Sequence, residues 1–231
     1  MTLFFFKFPS TLHISKPAQG KLREDKILLP DEKRILFEES VAVEEKIDGA
    51  NVGISFDENG NCRVQNRGSY IESTGKNQFS SLKTWTNRRI ETLADHLGSR
   101  YILFGEWCYA RHTVFYDSLP GYFIGFDLYD REKEAFLSVV KRNEILHSLN
   151  VPCVPQVFQG KLGSEKFLKT LLKSSAFSSQ PMEGLYVRYD DQAFSKLRGK
   201  LVRGNFLQKD EQHWSSRVLE KNLLRSSSTS S

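Results

Sequence analysis

Residues 41–56, VAVEEKIDGANVGISF, contain two short runs of alternating apolar residues on either side of Asp48-Gly49. An Asp-Gly dipeptide between two such runs is typical of a β-hairpin turn. Because side chains alternate between the two faces of a strand, burial of the face that carries Val41 and Val43 leaves Lys46 on the opposite face. A lysine beside carboxylates at a strand end is placed like a nucleophile or a phosphate ligand. Alone, however, the pattern favours an ordinary hairpin with a surface lysine.

The composition is that of a folded protein with a basic surplus. The chain has 231 residues, of which 39% are hydrophobic and 12% aromatic, and its formal net charge is +5. This length suffices for one large domain with a full core. The positive charge permits an anionic partner such as a nucleotide or a nucleic acid, although part of it is expected on an ordinary solvated surface.

The spacing of the cysteines and the length of the apolar runs indicate the cellular compartment of the protein. Cys62, Cys108 and Cys153 lie far apart and lack the spacing of a disulfide framework or a zinc site, which favours a reducing compartment. The first residues lack the basic leader and cleavage site of a secretory signal. No later apolar run is long enough to span a membrane. The sequence therefore predicts a cytoplasmic protein without a membrane partner.

Hydrophobic periodicity gives a coarse order of elements along the chain. We expect residues 1–40 to supply an edge of the fold and residues 41–66 to form a meander of three strands. Further strands are predicted at 101–107, 122–129 and 183–189, and a basic segment at 196–203. Helices are predicted at 76–97, 139–149, 165–172 and 212–225, with Gly98 ending the first and with Ser138 and Ser164 capping the second and third.

Five short motifs with a charged residue occur at separate predicted strand ends. They are KIDG at 46–49, RG at 67–68, FGE at 104–106, EG at 183–184 and KLVR at 200–203. Their order resembles the signature of the covalent nucleotidyltransferase superfamily of ATP-dependent ligases and capping enzymes. Within it, Asn51, QNRGSY at 65–70, the segment 109–123 and EQHW at 211–214 are most similar to RNA ligases of the phage nick-sealing type.

The resemblance implies an α+β fold. We expect an ATP-grasp-like nucleotidyltransferase (adenylation) domain over residues 1–210, built of mostly antiparallel sheets flanked by helices, with ATP in the groove between them. Residues 211–231 would add a short C-terminal helix and a disordered Ser-rich tail. Few residues follow the last motif, so an accessory protein or domain acting in trans would have to replace the additional domains of larger ligases.

The resemblance also implies a covalent mechanism. Lys46 would attack the α-phosphate of ATP, expel pyrophosphate and hold AMP as a phosphoramidate. Arg67, Lys200 and Arg203, together with Mg²⁺, would favour the neutral amine of Lys46 and offset charge on the transferring phosphoryl group. Lys200 is the first choice for the cation of the last motif and Arg203 the second.

The other motif residues would bind the nucleotide, the metal and the strand. Glu106 would bind the ribose hydroxyls, and Glu183 would bind the divalent metal, Mg²⁺ or alternatively Mn²⁺. Phe126 is the first candidate to stack on adenine, with Tyr122 or Phe123 as alternatives. Asn51 would approach the nucleotide that carries the 3′-hydroxyl. The expected nucleotide-binding set is Glu45, Lys46, Arg67, Glu106, Phe126, Glu183 and Lys200.

The function that follows from the resemblance is that of an ATP-dependent polynucleotide ligase. It would join 5′-phosphate and 3′-hydroxyl ends or nicks through a lysyl-AMP intermediate, with RNA favoured over DNA as the substrate. Two alternatives stay open at this point: a capping-type guanylyltransferase and a catalytically inert module that binds RNA ends. His112 is equally compatible with a phosphate contact and with a structural hydrogen bond to a backbone carbonyl.

Overall fold

The computed structural model describes residues 5–16, 26–71, 78–204 and 220–226, which form ten strands and five helices. The strands are β1 (Leu12–His13), β2 (Ser40–Lys46), β3 (Ala50–Phe56), β4 (Cys62–Gln65), β5 (Tyr101–Trp107), β6 (Phe123–Asp130), β7 (Ala135–Phe136), β8 (Gln156–Lys161), β9 (Gly184–Asp190) and β10 (Ser195–Val202). The helices are α1 (Pro30–Glu38), α2 (Gln78–Asn87), α3 (Ile90–Leu97), α4 (Val139–Ser148) and α5 (Glu165–Thr170).

The strands form two five-stranded sheets. The first sheet has the order β1-β10-β9-β2-β8, and the second has the order β4-β3-β5-β6-β7. The short β1 runs parallel to β10, and the remaining pairs between these strands are antiparallel. This confirms the predicted α+β class with mostly antiparallel sheets. It also confirms that the N-terminal segment supplies an edge strand.

The predicted hairpin at Asp48-Gly49 is wrong. β2 belongs to the first sheet, where it pairs with β8 and β9, whereas β3 belongs to the second, where it pairs with β4 and β5. Both edges of each strand are therefore occupied by other partners, and only β3 and β4 remain from the expected meander. Asp48-Gly49 is the crossover between the sheets, so Lys46 lies at their junction.

Each sheet has its own apolar cluster, which helices cover on one side. Val41 and Val43 of β2 pack with Leu36 of α1 and Leu168 of α5 in the first cluster. The second cluster joins strands β3, β5 and β6 to α2, α3 and α4. Because side chains alternate along β2, Lys46 lies on the face opposite Val41 and Val43 and lines a groove between the sheets.

The helix predicted over 76–97 is divided into α2 and α3. Thr86 and Asn87, which are poor helix formers, precede the break, and the backbone N–H of Arg89 bonds to the carbonyl of Thr86 in a tighter i−3 pattern. Gly98 ends α3 with a positive φ of 49°, as predicted. The Ser138 and Ser164 caps of α4 and α5 are also confirmed, because each hydroxyl accepts a backbone N–H three residues ahead.

The end of the chain does not follow the predicted helix where it is described. Residues 220–226 contain isolated bridges from Lys221 to Ala110 and from Leu224 to Leu119 instead of helical turns. Most of the predicted helix, including EQHW at 211–214, and the tail at 227–231 lie outside the described residues. The domain boundary at 210 therefore stays a prediction. Among the described helices, none has the length and apolar character of a membrane span.

Candidate active site

The groove between the two sheets has two adjoining parts, and Lys46 lines both. The inner pocket is lined by Phe8, Ser10, Thr11, Glu44, Glu45, Lys46, Ile47, Asn51, Arg67, Glu106, Phe126, Val154, Tyr186, Arg188 and Lys200. The outer pocket is lined by Lys46, Asp48, Gly49, Ala50, Asn51, Asn66, Arg67, Phe79, Glu106, His112, Thr113, Glu183 and Val202. The inner pocket is the more aromatic of the two and the outer pocket the more polar. A group attached to Lys46 can therefore be reached from either part.

Strand pairing brings three motifs to one place. Lys46 at the end of β2 pairs with Gly184 of β9, which sets Glu183 beside it. Its Nζ donates a hydrogen bond to Oε2 of Glu183 at 2.6 Å. Asn51 of β3 pairs with Glu106 of β5, so the second sheet adds a carboxylate to the same cluster.

Carboxylates dominate the surroundings of Lys46. Burial alone would lower its pKa, but Glu183, Glu106 and Asp48 outweigh burial and raise the pKa of Lys46 above its ordinary value. The expectation that neighbouring cations favour the neutral amine is therefore wrong for the protein's own side chains. Instead, the charged ammonium is stabilised here, and substrate binding must change this balance before Lys46 can act as a nucleophile.

The other charged groups in the groove are perturbed chiefly by burial. Burial raises the pKa of Glu106 to about 8 and that of Glu183 to about 6, against the opposing effect of Lys46. Burial, followed by the charges of Lys46 and Arg67, lowers the pKa of Lys200 to about 8. Lys200 lines the inner pocket beside Lys46 and Arg67, as the motif order predicted, so three cationic side chains converge where a polyphosphate could lie.

The carboxylates give only a partial metal site. Their oxygens are the hard ligands that Mg²⁺ and Mn²⁺ prefer. Within the described residues, however, no group of three or more His, Cys, Asp or Glu side chains could enclose a metal ion. Mg²⁺ in nucleotide sites is commonly bound by one or two carboxylates together with substrate phosphates. Glu183 therefore fits a metal that arrives with a nucleotide.

Arg203 does not line either pocket, contrary to its predicted place in the catalytic set. Its guanidinium donates to the carbonyls of Leu172 at 2.9 Å and Lys173 at 3.1 Å. Arg203 follows the last residue of β10, and these bonds direct its guanidinium away from the groove that Lys200 lines. It stabilises the chain around β9 instead, since its backbone N–H also bonds to the carbonyl of Glu183.

Of the three aromatic candidates, Phe126 is the one that the groove contains. Its ring meets that of Phe8 edge-on, with centroids 5.3 Å apart, in the inner pocket. Phe123 is buried against Trp85, and the hydroxyl of Tyr122 donates to the carbonyl of Asn222. Stacking of Phe126 on a base stays a prediction.

Two side chains offer buried oxygens to a ligand. Glu45 is 1% exposed, and its Oε2 accepts the N–H of Ala176 at 2.8 Å. Its Oε1 and Oδ1 of Asn51 have no hydrogen-bond partner among the described residues. Burial raises the pKa of Glu45 against its hydrogen bonds. Both residues were predicted to contact substrate, and both line the groove.

The sequence did not reveal several walls of the groove. Phe8 and Thr11 come from the N-terminal segment, and the Thr11 hydroxyl hydrogen-bonds to that of Tyr186. Strand alternation from Gly184, which pairs with Lys46, could have indicated Tyr186, but no local signal connects either N-terminal residue to the site. The loop between β5 and β6 holds Asp48 in place. Oδ2 of Asp48 accepts the N–H groups of Thr113 at 2.7 Å and Val114 at 2.8 Å.

We expect Gly184→Ala to destabilise the protein by about 1–3 kcal/mol, because a buried atom would be added without room. A Cβ at Gly184 would collide with the carbonyl oxygen of Leu201 and lie 3.0 Å from the Cα of Val202. Urea denaturation measures the loss. Gly121→Ala is the matched control, since its nearest contact would be an ordinary 3.5 Å to Pro152. Equal stability of the two variants would contradict the close packing of β9 on β10.

Comparison with known proteins agrees with this geometry. A sequence model described as RNA ligase matches residues 39–202. The chain belongs to the RNA ligase family. The resemblance found in the motifs is thereby confirmed at the family level, while the nick-sealing subtype stays a prediction. A comparison with curated proteins gives no significant match.

Solved structures of RNA ligase from Naegleria gruberi share the fold of this family member. The structure with PPi is 19% identical with a TM-score of 0.60, covering 89% of this chain and 60% of that chain. A mutant with ATP and Mn is 18% identical with a TM-score of 0.60, covering 89% and 64% respectively. A mutant with AMP and Mn is 18% identical with a TM-score of 0.59, covering 88% and 64%. The chain thus spans less than two thirds of these structures.

Proposed function

We propose that this member of the RNA ligase family is an ATP-dependent RNA ligase that acts through a lysyl-AMP intermediate on Lys46. The observation that carries the proposal is the position of Lys46, which lines both pockets and is paired with Glu183. Membership of the RNA ligase family and the ATP, AMP and PPi complexes of Naegleria RNA ligase support it.

In the first step, Nζ of Lys46 forms a bond to the α-phosphorus of ATP while the bond to the pyrophosphate oxygen breaks. An ammonium has no free electron pair, so Lys46 must first lose a proton. Oε2 of Glu183, 2.6 Å away, is positioned to accept this proton and to pass it to solvent before the carboxylate binds the cation. Lys200 and Arg67, which line the groove beside Lys46, offset the charge of the phosphates, so that bound ATP does not stabilise the ammonium of Lys46 further.

The inner pocket would bind the adenosine. Phe126 stacks on the adenine, and the buried oxygen of Glu45 is available to its exocyclic amine. Glu106 accepts hydrogen bonds from the ribose hydroxyls. A divalent cation, Mg²⁺ or Mn²⁺, supplies further charge stabilisation when it binds with ATP, and Glu183 is the side chain that would hold it.

The outer pocket would receive the strand ends. AMP passes from Lys46 to a 5′-phosphate, and a 3′-hydroxyl then displaces AMP and seals the strand. Asn51 lines both pockets and is placed to meet the nucleotide that carries this hydroxyl. RNA is the proposed strand, its ends or nicks are the proposed substrates, and an accessory protein or domain in trans is a proposed partner. The thiols Cys62, Cys108 and Cys153 are free, which suits the proposed cytoplasmic location.

The test is covalent labelling. The full chain is incubated with Mg²⁺ or Mn²⁺ and with ATP or GTP radiolabelled on the α-phosphate, and is then separated by denaturing electrophoresis. We expect a label from ATP alone that is discharged by pyrophosphate and is transferred to nicked RNA in preference to nicked DNA. Labelling by GTP alone would favour a guanylyltransferase. No label on a protein free of bound AMP by mass spectrometry would favour an inert module that binds RNA ends.

A further inference from the structure

Residues 220–226, which we call the C-terminal strap, lie beyond the part of the chain that matches the family. The strap returns to the loop between β5 and β6. Its backbone bonds there include Leu223 N–H to the carbonyl of Tyr116 at 2.8 Å and Leu119 N–H to the carbonyl of Leu223 at 3.0 Å. These bonds connect the strap to the loop that contains Thr113, which lines the outer pocket.

Asn222 is the fully buried residue of the strap, with no exposed surface. Its Oδ1 accepts the N–H of Tyr116 at 2.9 Å, and its Nδ2 donates to the carbonyls of Cys108 at 2.9 Å and Ala110 at 3.3 Å. Its own N–H donates to the carbonyl of Tyr109 at 3.0 Å. One side chain thus ties Cys108 and Ala110, at the start of the β5–β6 loop, to Tyr116, which lies eight and six residues further along.

The section of loop that Asn222 closes holds Asp48. The N–H groups of Thr113 and Val114 donate to Oδ2 of Asp48, and the N–H of Asp48 donates to the hydroxyl of Tyr116 at 2.8 Å. Tyr116 is itself fully buried. Asp48 lies two residues after Lys46 and lines the outer pocket, but it does not line the inner pocket.

We propose that Asn222 is a positioning residue of the ligase site. By fixing the loop, it holds Asp48 and the Lys46 end of β2 in the geometry that phosphoryl transfer needs. The proposal rests on the proposed ligase function. The C-terminal strap would therefore affect the rate of the reaction and not the binding of adenosine. The contacts that run from Asn222 through the loop to Asp48 reach the outer pocket and not the inner one.

The chemistry of asparagine explains why this residue suits the position. Its amide accepts one hydrogen bond and donates two, which matches one N–H and two carbonyls. Aspartate would keep the acceptor but set a carboxylate against two carbonyl oxygens, and leucine would leave all three backbone groups without a partner. Asn222→Asp and Asn222→Leu should therefore both release the loop, since buried polar groups without partners are costly.

The experiment compares adduct formation in the wild type, Asn222→Asp and Asn222→Leu, at a temperature where each is folded by circular dichroism. We expect the rate at saturating ATP to fall about 10- to 100-fold, the range for a misplaced catalytic group, while the KM for ATP changes less than about twofold. Lys221→Ala is the control on the same strap, because Lys221 contacts the rings of Tyr109 and Tyr122 and not the loop interior. Leu168→Ala, on the buried face of α5 in the first apolar cluster, controls for lost stability.

Hydrogen exchange gives a readout that is independent of activity. In the Asn222 variants the N–H groups of Thr113 and Val114 should exchange faster, while those of β2 keep their protection. A wild-type rate in both folded variants, a rise in KM equal to the loss of rate, or unchanged exchange in the loop would overturn the proposal. Absence of the adduct in the wild type would instead overturn the proposed function, and the exchange data would still decide whether Asn222 holds the loop.

Discussion

Lys46→Arg is expected to abolish covalent labelling by ATP while the protein remains folded. Arginine keeps the positive charge and can retain the ion pair with Glu183, which lies 2.6 Å from Nζ of Lys46. Its guanidinium stays protonated at any working pH and cannot attack phosphorus. We expect the label to fall at least about 1000-fold, as removal of a nucleophile commonly does. Lys46→Ala should lose the label as well, but it also leaves Glu183 and Glu106 without their cation.

The controls separate loss of the nucleophile from loss of the site. Lys141→Arg is the matched control, because Lys141 also pairs with a glutamate, Glu144, at 2.9 Å, but on an exposed helix. Its label should equal that of the wild type. A strand that already carries a 5′-linked AMP needs no bond to Lys46, so Lys46→Arg should still seal pre-adenylylated nicked RNA. A label on Lys46→Arg equal to that of the wild type would show that another residue is the nucleophile.

The sequence alone predicted the fold class and a central set of groove residues, because the short motifs mark strand ends that meet in the groove. Lys46, Arg67, Glu106 and Lys200 were expected together, and all four line the inner pocket. Their order along the chain carried this information, since each motif follows or ends a strand and the family fixes how those strands assemble. Their separate roles in catalysis stay predictions.

The errors arose where partners far apart in sequence decide the structure. Asp48-Gly49 has local hairpin chemistry, but β8 and β9, more than a hundred residues away, occupy both edges of β2. Arg203 was grouped with Lys200 by the last motif, but its guanidinium bonds to the carbonyls of Leu172 and Lys173 outside the two pockets, so its catalytic role stays a prediction. Nor could local periodicity reveal that Asn222 closes a loop around Asp48, because that loop lies about a hundred residues earlier in the chain.

A buried carboxylate also links the two sheets through residues that are far apart in the sequence. Asp127 of β6, in the second sheet, is fully buried and accepts from Arg188 at 2.6 Å and from Arg198 at 2.8 Å. Arg188 lies on β9 and Arg198 on β10, both in the first sheet. Arg188 is 1% exposed, so water cannot replace a lost partner. Asp127 therefore compensates two cations at the inter-sheet contact.

We expect Asp127→Asn to lower the free energy of unfolding by about 3–5 kcal/mol, because the buried Arg188 loses its nearest carboxylate and keeps only the more distant Asp190, at 3.8 Å, as an ion-pair partner. Urea denaturation monitored by tryptophan fluorescence measures this loss. Asp31→Asn is the matched control: Asp31 and Arg34 form an exposed pair whose side chains are 89% and 64% accessible. That change should cost less than about 1 kcal/mol, since surface pairs contribute little.

Removing both charges tests the physical reason for the loss. In Asp127→Asn combined with Arg188→Met, an apolar side chain replaces the buried guanidinium on β9, and only the less buried Arg198 on β10 still lacks the Asp127 carboxylate. The double variant should therefore recover part of the stability lost in Asp127→Asn, giving a coupling energy that differs clearly from zero. If the stability losses of the two single variants simply added in the double variant, each loss would come from packing at its own site. The ion pair between Asp127 and Arg188 would then not be what joins the two sheets.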